Sequence, residues 1–171
     1  TWAGGVVPTA GQDALVRNEL TLASSTDELA SVTMNGGGIT VSGWNSAIRA
    51  DDIDLNVGTI TASEQSDVNG GDGWTPDSRV WIEAGDLYVS EFASIDTSGD
   101  GFQGADYPAY GDRNGFGPGG SFAVAGGSYG GEGGVDLTDT GSLRWGGNPA
   151  SPYGDLFNPD TPGSGGGSHS N

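Results

Sequence analysis

The chain has 171 residues, a length that suits one domain over residues 1–171, and only 33% of them are hydrophobic. Its 34 glycines raise the entropic cost of folding, so a compact structure must draw on dense backbone hydrogen bonding, ions or neighbouring segments. A net charge of −18, with five arginines and no lysine, argues against a nucleic-acid partner, and the lack of any long apolar stretch predicts no membrane insertion.

Short segments that alternate apolar and polar residues follow one another through residues 1–98. This period of two, with β-branched and aromatic residues, predicts strands, and the Gly, Asn, Asp and Ser clusters between the segments predict turns. Helical periodicity is weak, so the predicted fold class is all-β. The predicted strands lie at 15–22, 29–34, 38–42, 53–57, 59–61, 80–83 and 87–89.

A loose internal repeat links these segments. Each unit is a strand, a short corner and a second strand; examples are 54–63, 86–98 and 136–145. Stacked units would pair in parallel and bury a narrow core, which predicts a parallel β-solenoid with strand-rich coils over residues 1–98. A β-sandwich with long loops is the alternative, but it needs about seven regularly spaced strands, and the gap between 98 and 121 breaks that spacing.

Residues 99–171 hold 22 of the glycines and are predicted to form a glycine-rich insert followed by a final coil. Disordered linkers rarely carry many aromatic residues, so the insert is expected to be ordered. Its interleaved aromatic residues are Phe102, Tyr107, Tyr110, Phe116, Phe122, Tyr129, Trp145, Tyr153 and Phe157.

An ordered set of motifs runs through the same half of the chain. The set comprises 93–104, 126–134, 153–156, Pro159, Pro162 and the Gly-Ser-Gly-Gly-Gly run at 163–167. It resembles the glycine-rich modules of large bacterial exported surface proteins that contain a right-handed β-helix of the pectate-lyase type. The resemblance covers residues 86–167 and, more faintly, the strands before them.

This resemblance implies a right-handed parallel β-helix, an extracellular or cell-surface location and a structural or adhesive role. It implies no reaction. In such modules the 163–167 run leads into another strand. We therefore expect partners that complete the coil: neighbouring segments of a larger surface protein, or further copies of the chain in a surface filament.

One segment resembles the start of a calcium-binding loop. Asp96, Ser98 and Asp100 supply oxygen atoms at positions one, three and five, Gly101 stands at position six, and Asp106 lies nearby. Tyr107 replaces the bidentate glutamate of position twelve, which excludes an EF-hand. Calcium at Asp96, Ser98, Asp100 and Asp106 is one prediction, and an aspartate-capped turn without metal is the other.

Tryptophan suggests two further kinds of site. Trp74 and Trp145 lie beside Gly and Pro residues and are candidates for stacking on sugar rings, which makes a carbohydrate-binding module the alternative function. Trp2, Val6 and Val7 form an apolar segment before Pro8 that is a candidate for docking on a neighbouring subunit.

Catalytic arrangements are few. His169, near the end of the chain, is the sole histidine and there is no cysteine, so no Ser-His-Asp triad and no thiolate site is expected. Carboxylate pairs suited to polysaccharide cleavage remain open, because 23 acidic residues always offer pairs. A polysaccharide-active enzyme is therefore the lowest-ranked hypothesis, and the main prediction is that the chain is no enzyme.

Overall fold

A computed structural model describes residues 7–65, 74–105, 114–122, 125–134, 150–155, 157 and 161–167. Within these ranges there are strands and no helix, which confirms the all-β class. The strands are β1 (Asp13–Val16), β2 (Leu20–Leu22), β3 (Leu29–Val41), β4 (Ile48–Ala62), β5 (Ile82–Val89) and β6 (Ala93–Ile95).

The chain divides into two compact units. The strand unit comprises Thr1–Ser63 and Asp77–Asp100, and it contains all six strands. The glycine unit comprises Glu64–Pro76 and Gly101–Asn171. The organisation of residues 1–171 as one domain stays a prediction.

All six strands belong to one open sheet in which every strand pairing is parallel. The sheet consists of four rungs: β1 with β2, then β3, then β4, then β5 with β6. β-Sandwiches are built from antiparallel sheets, so this pairing does not fit the sandwich alternative. Closure of the rungs into a right-handed solenoid stays a prediction.

The inward-facing side chains stack in register from rung to rung. Neighbouring strands lie about 4.8 Å apart, so residues in register contact each other directly. The strand unit therefore gains its core as continuous aliphatic columns, and most of their members are buried. The columns are Ala14–Val32–Ile53–Leu87, Val16–Met34–Leu55–Val89 and Leu20–Ile39–Ile60–Ile95.

The predicted strand bounds were wrong at the glycine-containing corners. Residues 29–34 and 38–42 were predicted as separate strands, but β3 continues through the intervening glycines with shifts of register. Gly37 and Gly58 adopt positive φ values of 68° and 121°, which bend the backbone without ending the pairing. A Cβ atom on Gly58 would lie 2.3 Å from the carbonyl oxygen of Gly37, so the corners of these two rungs require glycine.

The described segments of the glycine unit are joined by backbone hydrogen bonds. Phe116 donates to Gln103, Gly165 donates to Phe116, and Ala105 donates to Gly166, each over 2.9 Å. A Cβ atom on Gly165 would lie only 1.8 Å from the Gln103 carbonyl oxygen. Glycine is therefore required where these backbones touch; order across the whole of 99–171 stays a prediction.

Buried hydroxyl groups complete this packing. Ser121 donates to the Ala125 carbonyl and accepts from the Gly167 amide, over 2.6 and 2.9 Å. Ser128 donates to the Ala150 carbonyl and accepts from the Gly133 amide, over 2.6 and 3.0 Å. Each serine thus pairs with one backbone carbonyl and one backbone amide. In a glycine-rich segment without a β-ladder, these two groups would otherwise be left unpaired.

We expect Leu55→Ala to lower the free energy of unfolding by about 2–5 kcal/mol, because Leu55 is fully buried inside its column. The measurement is urea unfolding followed by far-ultraviolet circular dichroism. Leu15→Ala is the matched control, since Leu15 is 49% exposed on β1 and should change stability by less than about 1 kcal/mol. Equal effects of the two substitutions would contradict the proposed columns.

Gly165→Ala should destabilise the glycine unit by at least about 1–3 kcal/mol, because its new methyl group would overlap the Gln103 carbonyl. Gly163→Ala is the control, since a Cβ atom there meets no atom within 4 Å. Near-ultraviolet circular dichroism follows thermal unfolding through the aromatic residues of the chain. If both variants melt at the wild-type temperature, the close approach at Gly165 is wrong.

Candidate functional site

The fourth rung exposes inward-facing side chains whose equivalents in the third rung are buried. Among the described residues, β5 and β6 pair only with β4. Leu87, Val89 and Ile95 keep 46%, 41% and 41% of their surface exposed, although they continue columns whose previous members are at most 1% exposed. The other end differs, because Ala14 and Val16 of the first rung are only 5% exposed. The aliphatic core is therefore uncovered at one end.

Two exposed aromatic side chains also lie on the fourth rung and the corner that follows β5. Tyr88 and Phe92 are 56% and 71% exposed. The corner that holds Phe92 is fixed by Ser90, whose hydroxyl donates to the Asn56 carbonyl and accepts from the Phe92 amide. We call Leu87, Tyr88, Val89, Phe92 and Ile95 the end-rung surface. Exposed apolar patches of this kind commonly mark interaction sites.

Acidic residues also follow the register of the rungs. Asp13, Ser31, Asp52 and Asp86 form one column on the outward face. Ser31 donates its hydroxyl to Asp13 over 2.7 Å, which separates the first carboxylate from the next. Asp52 and Asp86 are direct neighbours in this column. The column places negative charge beside the end-rung surface.

An arginine lies between two tryptophan rings in the strand unit. The Arg79 guanidinium carbon is 4.3 Å from the Trp44 ring centroid and 4.2 Å from the Trp81 ring centroid, and Arg79 Nε donates to the Trp44 carbonyl over 3.0 Å. Arg49 forms an ion pair with Glu83 over 2.6 Å and also lies 5.9 Å from the Trp81 ring. These cation–π contacts tie residues 77–81 to the corner before β4. Sequence reasoning missed the stack because Trp44 lies 35 residues before Arg79.

The predicted calcium residues take local hydrogen-bonding roles. Asp96 accepts from the Ser98 amide over 2.9 Å, and hydrogen bonds from the Ser98 hydroxyl and amide lower the pKa of the Asp96 carboxyl. Asp100 accepts from the Thr61 hydroxyl and the Ala62 amide over 2.8 and 3.0 Å. Asp106 lies outside the described residues. The residues that are described contain no group of three or more acidic or histidine side chains that would hold a metal ion.

Only one of the two predicted sugar-binding tryptophans, Trp74, lies among the described residues. Trp74 packs within the glycine unit, 5.8 Å from the Phe102 ring and 6.0 Å from the Phe116 ring. Its half-buried ring is thus part of an aromatic cluster. Trp145 lies outside the described residues, as do Trp2 and Val6 of the predicted docking segment. Val7, the remaining member of that segment, is exposed.

A chain of hydrogen bonds in the glycine unit centres on Tyr153. The Gly119 amide donates to the Ser164 hydroxyl, which donates to the Tyr153 hydroxyl, both over 2.9 Å. Tyr153 in turn donates to the Pro162 carbonyl. Burial raises the pKa of Tyr153, the hydrogen bond from Ser164 opposes the rise, and the neighbouring Tyr129 adds to it. The folded glycine unit therefore favours the neutral phenol.

Comparison with known proteins returned no match: no family model, no curated protein and no solved structure matches this chain. Within the part of the chain that the structure describes, no helix is long and apolar enough to cross a membrane.

The raised pKa of Tyr153 predicts a loss of stability in alkali. The folded state binds the phenolic proton more tightly than the unfolded state, whose tyrosines titrate near pH 10. The contribution of the protonated Tyr153 phenol to the free energy of unfolding is complete below about pH 10. It declines as the pH rises through the pKa of Tyr153 in the folded state. Urea unfolding between about pH 8 and pH 11, with near-ultraviolet detection, measures it.

Tyr153→Phe is the control for this prediction. The variant should be less stable at neutral pH, because the Pro162 carbonyl loses its donor, and it should show a smaller alkaline loss than the wild type. If Tyr153→Phe loses as much stability in alkali as the wild type, the loss arises from the titration of another group.

Proposed function

We propose that the chain is a structural module of an extracellular or cell-surface assembly, and that the strand unit forms coils of a right-handed parallel β-solenoid. The observation that carries the proposal is the set of aliphatic columns, which continue in register through four rungs and end uncovered at Leu87, Val89 and Ile95. Each added rung extends the same columns, as in repeat proteins whose stability grows by nearest-neighbour contacts.

The charge of the chain supports the same role. A net charge of −18 keeps a protein soluble and discourages nonspecific association, which suits a polypeptide whose apolar edge is uncovered. The acidic column through Asp52 and Asp86 places repulsion next to that edge. Negative charges beside an uncovered sheet edge disfavour the nonspecific addition of strands from other chains. A partner with a matching surface can still bind there.

The turn between β6 and the glycine unit supports a structural reading of its aspartates. Asp100 links this turn to the end of β4 through Thr61 and Ala62, and Asp96 caps the turn at Ser98. Both carboxylates thus stabilise the chain's exit from the fourth rung. We propose turn capping as their role and keep calcium binding as the alternative, which a thermal melt with calcium and with a chelator distinguishes, since a bound ion must raise Tm.

Immunogold labelling of intact source cells tests the proposed location. We expect antibodies against the purified chain to label the cell surface or extracellular material without permeabilisation. Antibodies preabsorbed with the purified chain give the background, and an antibody against a cytoplasmic protein controls for leakage. Labelling that appears only after permeabilisation would contradict the proposal.

A further inference from the structure

Among its described residues, the strand unit leaves its aliphatic columns uncovered at the fourth rung. The first rung buries Ala14 and Val16, whereas the fourth rung leaves Leu87, Val89 and Ile95 more than 40% exposed. In the described part of the chain, only β4 pairs with β5 and β6, so the outer edge of β5 offers backbone groups for a further strand. A surface that is exposed at one end of the described stack and covered at the other can pair with its own copy about a two-fold axis.

Head-to-tail stacking is disfavoured by charge. Continuing the parallel register would place Asp13 of the next copy beside Asp86, and so extend the column that already contains Asp52 and Asp86. Like charges directly opposite each other on neighbouring strands are destabilising. The first rung is also already covered at Ala14 and Val16. An open filament built by adding β1 to β5 is therefore the less favourable assembly.

An antiparallel pairing of two β5 strands avoids this repulsion. With Tyr88 at the two-fold axis, Leu87 lies opposite Val89 of the second copy, so the inward positions of both copies share a face. β5 ends at Val89, so the pairing in this register joins residues 87–89 of one copy to residues 89–87 of the other. None of these residues is acidic, so no carboxylate faces another within the paired segment.

We propose that the end-rung surface binds a second copy of this chain, through antiparallel pairing of β5 with β5 about a two-fold axis near Tyr88. The inference rests on the proposed function, since it takes the fourth rung to be a joint in a structural assembly. The interface joins the aliphatic columns of the two copies and covers Leu87 and Val89. Because the interface is isologous, it closes at a dimer and does not propagate.

Analytical ultracentrifugation of the full chain over a wide concentration range tests the proposal. The wild type should sediment as a monomer–dimer equilibrium. Val89→Lys should raise the dissociation constant at least about tenfold, because it places a charge in the centre of the interface. Val57→Lys is the matched control: Val57 is 47% exposed on β4, lies outside the end-rung surface and should dimerise like the wild type. Circular dichroism verifies that both variants fold.

A cysteine placed at the axis provides a test that does not depend on weakening the interface. The chain has no cysteine, so Tyr88→Cys introduces a single thiol that should meet its symmetry mate and form an intermolecular disulfide under mild oxidation. Leu15→Cys, at a similarly exposed site on β1, should stay monomeric under the same conditions.

Several outcomes would overturn the proposal. A strictly monomeric wild type, an equal loss of dimer in Val57→Lys, or equal cross-linking of Leu15→Cys and Tyr88→Cys would each do so. A monomer whose β5 amides are protected from hydrogen exchange would show that a further segment of its own chain covers the edge. That result would reject the second copy and leave the proposed structural role intact, whereas absent surface labelling would reject the role itself.

Discussion

The structure depends on the contact between aliphatic side chains that occupy the same position in successive parallel strands. Parallel strands lie about 4.8 Å apart, close to the contact distance of methyl groups, so a column of Val, Ile, Leu and Met side chains leaves little empty space. Met34, Leu55 and Ile60 are fully buried in this way, within a sheet only four rungs long. A narrow core of this kind explains how a chain with 33% hydrophobic residues forms a compact strand unit.

In both units, glycine allows backbone segments to pack closely against each other. In the strand unit, Gly37 and Gly58 allow the corners of neighbouring rungs to stack at a distance that a Cβ atom would prevent. In the glycine unit, Gly165 lies against the Gln103 backbone in the same manner, and hydroxyl groups such as that of Ser121 pair with the exposed amides and carbonyls. Backbone contact and serine hydrogen bonding thus do much of what side-chain packing does in an ordinary core.

Local patterns predicted more of the fold than of the candidate site. The alternation at 53–57 and 87–89 predicted strands that lie in β4 and β5, because alternation reflects one buried and one exposed face. The strand bounds near Gly36–Gly38 were wrong, because glycine signals a turn even where it only bends a paired strand. Arg79 contacts Trp44 from 35 positions away, and Asp100 accepts hydrogen bonds from Thr61 and Ala62, 39 and 38 positions away, so no local pattern contains these contacts.

The all-β class, the alternation of inward and outward residues and the acidic character of the chain follow from the order and composition of its amino acids. Which of the inward residues are covered follows from the arrangement of the strands in the sheet. Leu87 and Ile53 occupy equivalent positions in their strands and follow an aspartate in each case, yet Ile53 is buried and Leu87 is nearly half exposed. Ile53 lies between two neighbouring rungs, whereas Leu87 has a neighbouring rung on one side among the described residues. That property belongs to the order of strands in the sheet, which no short segment of the sequence encodes.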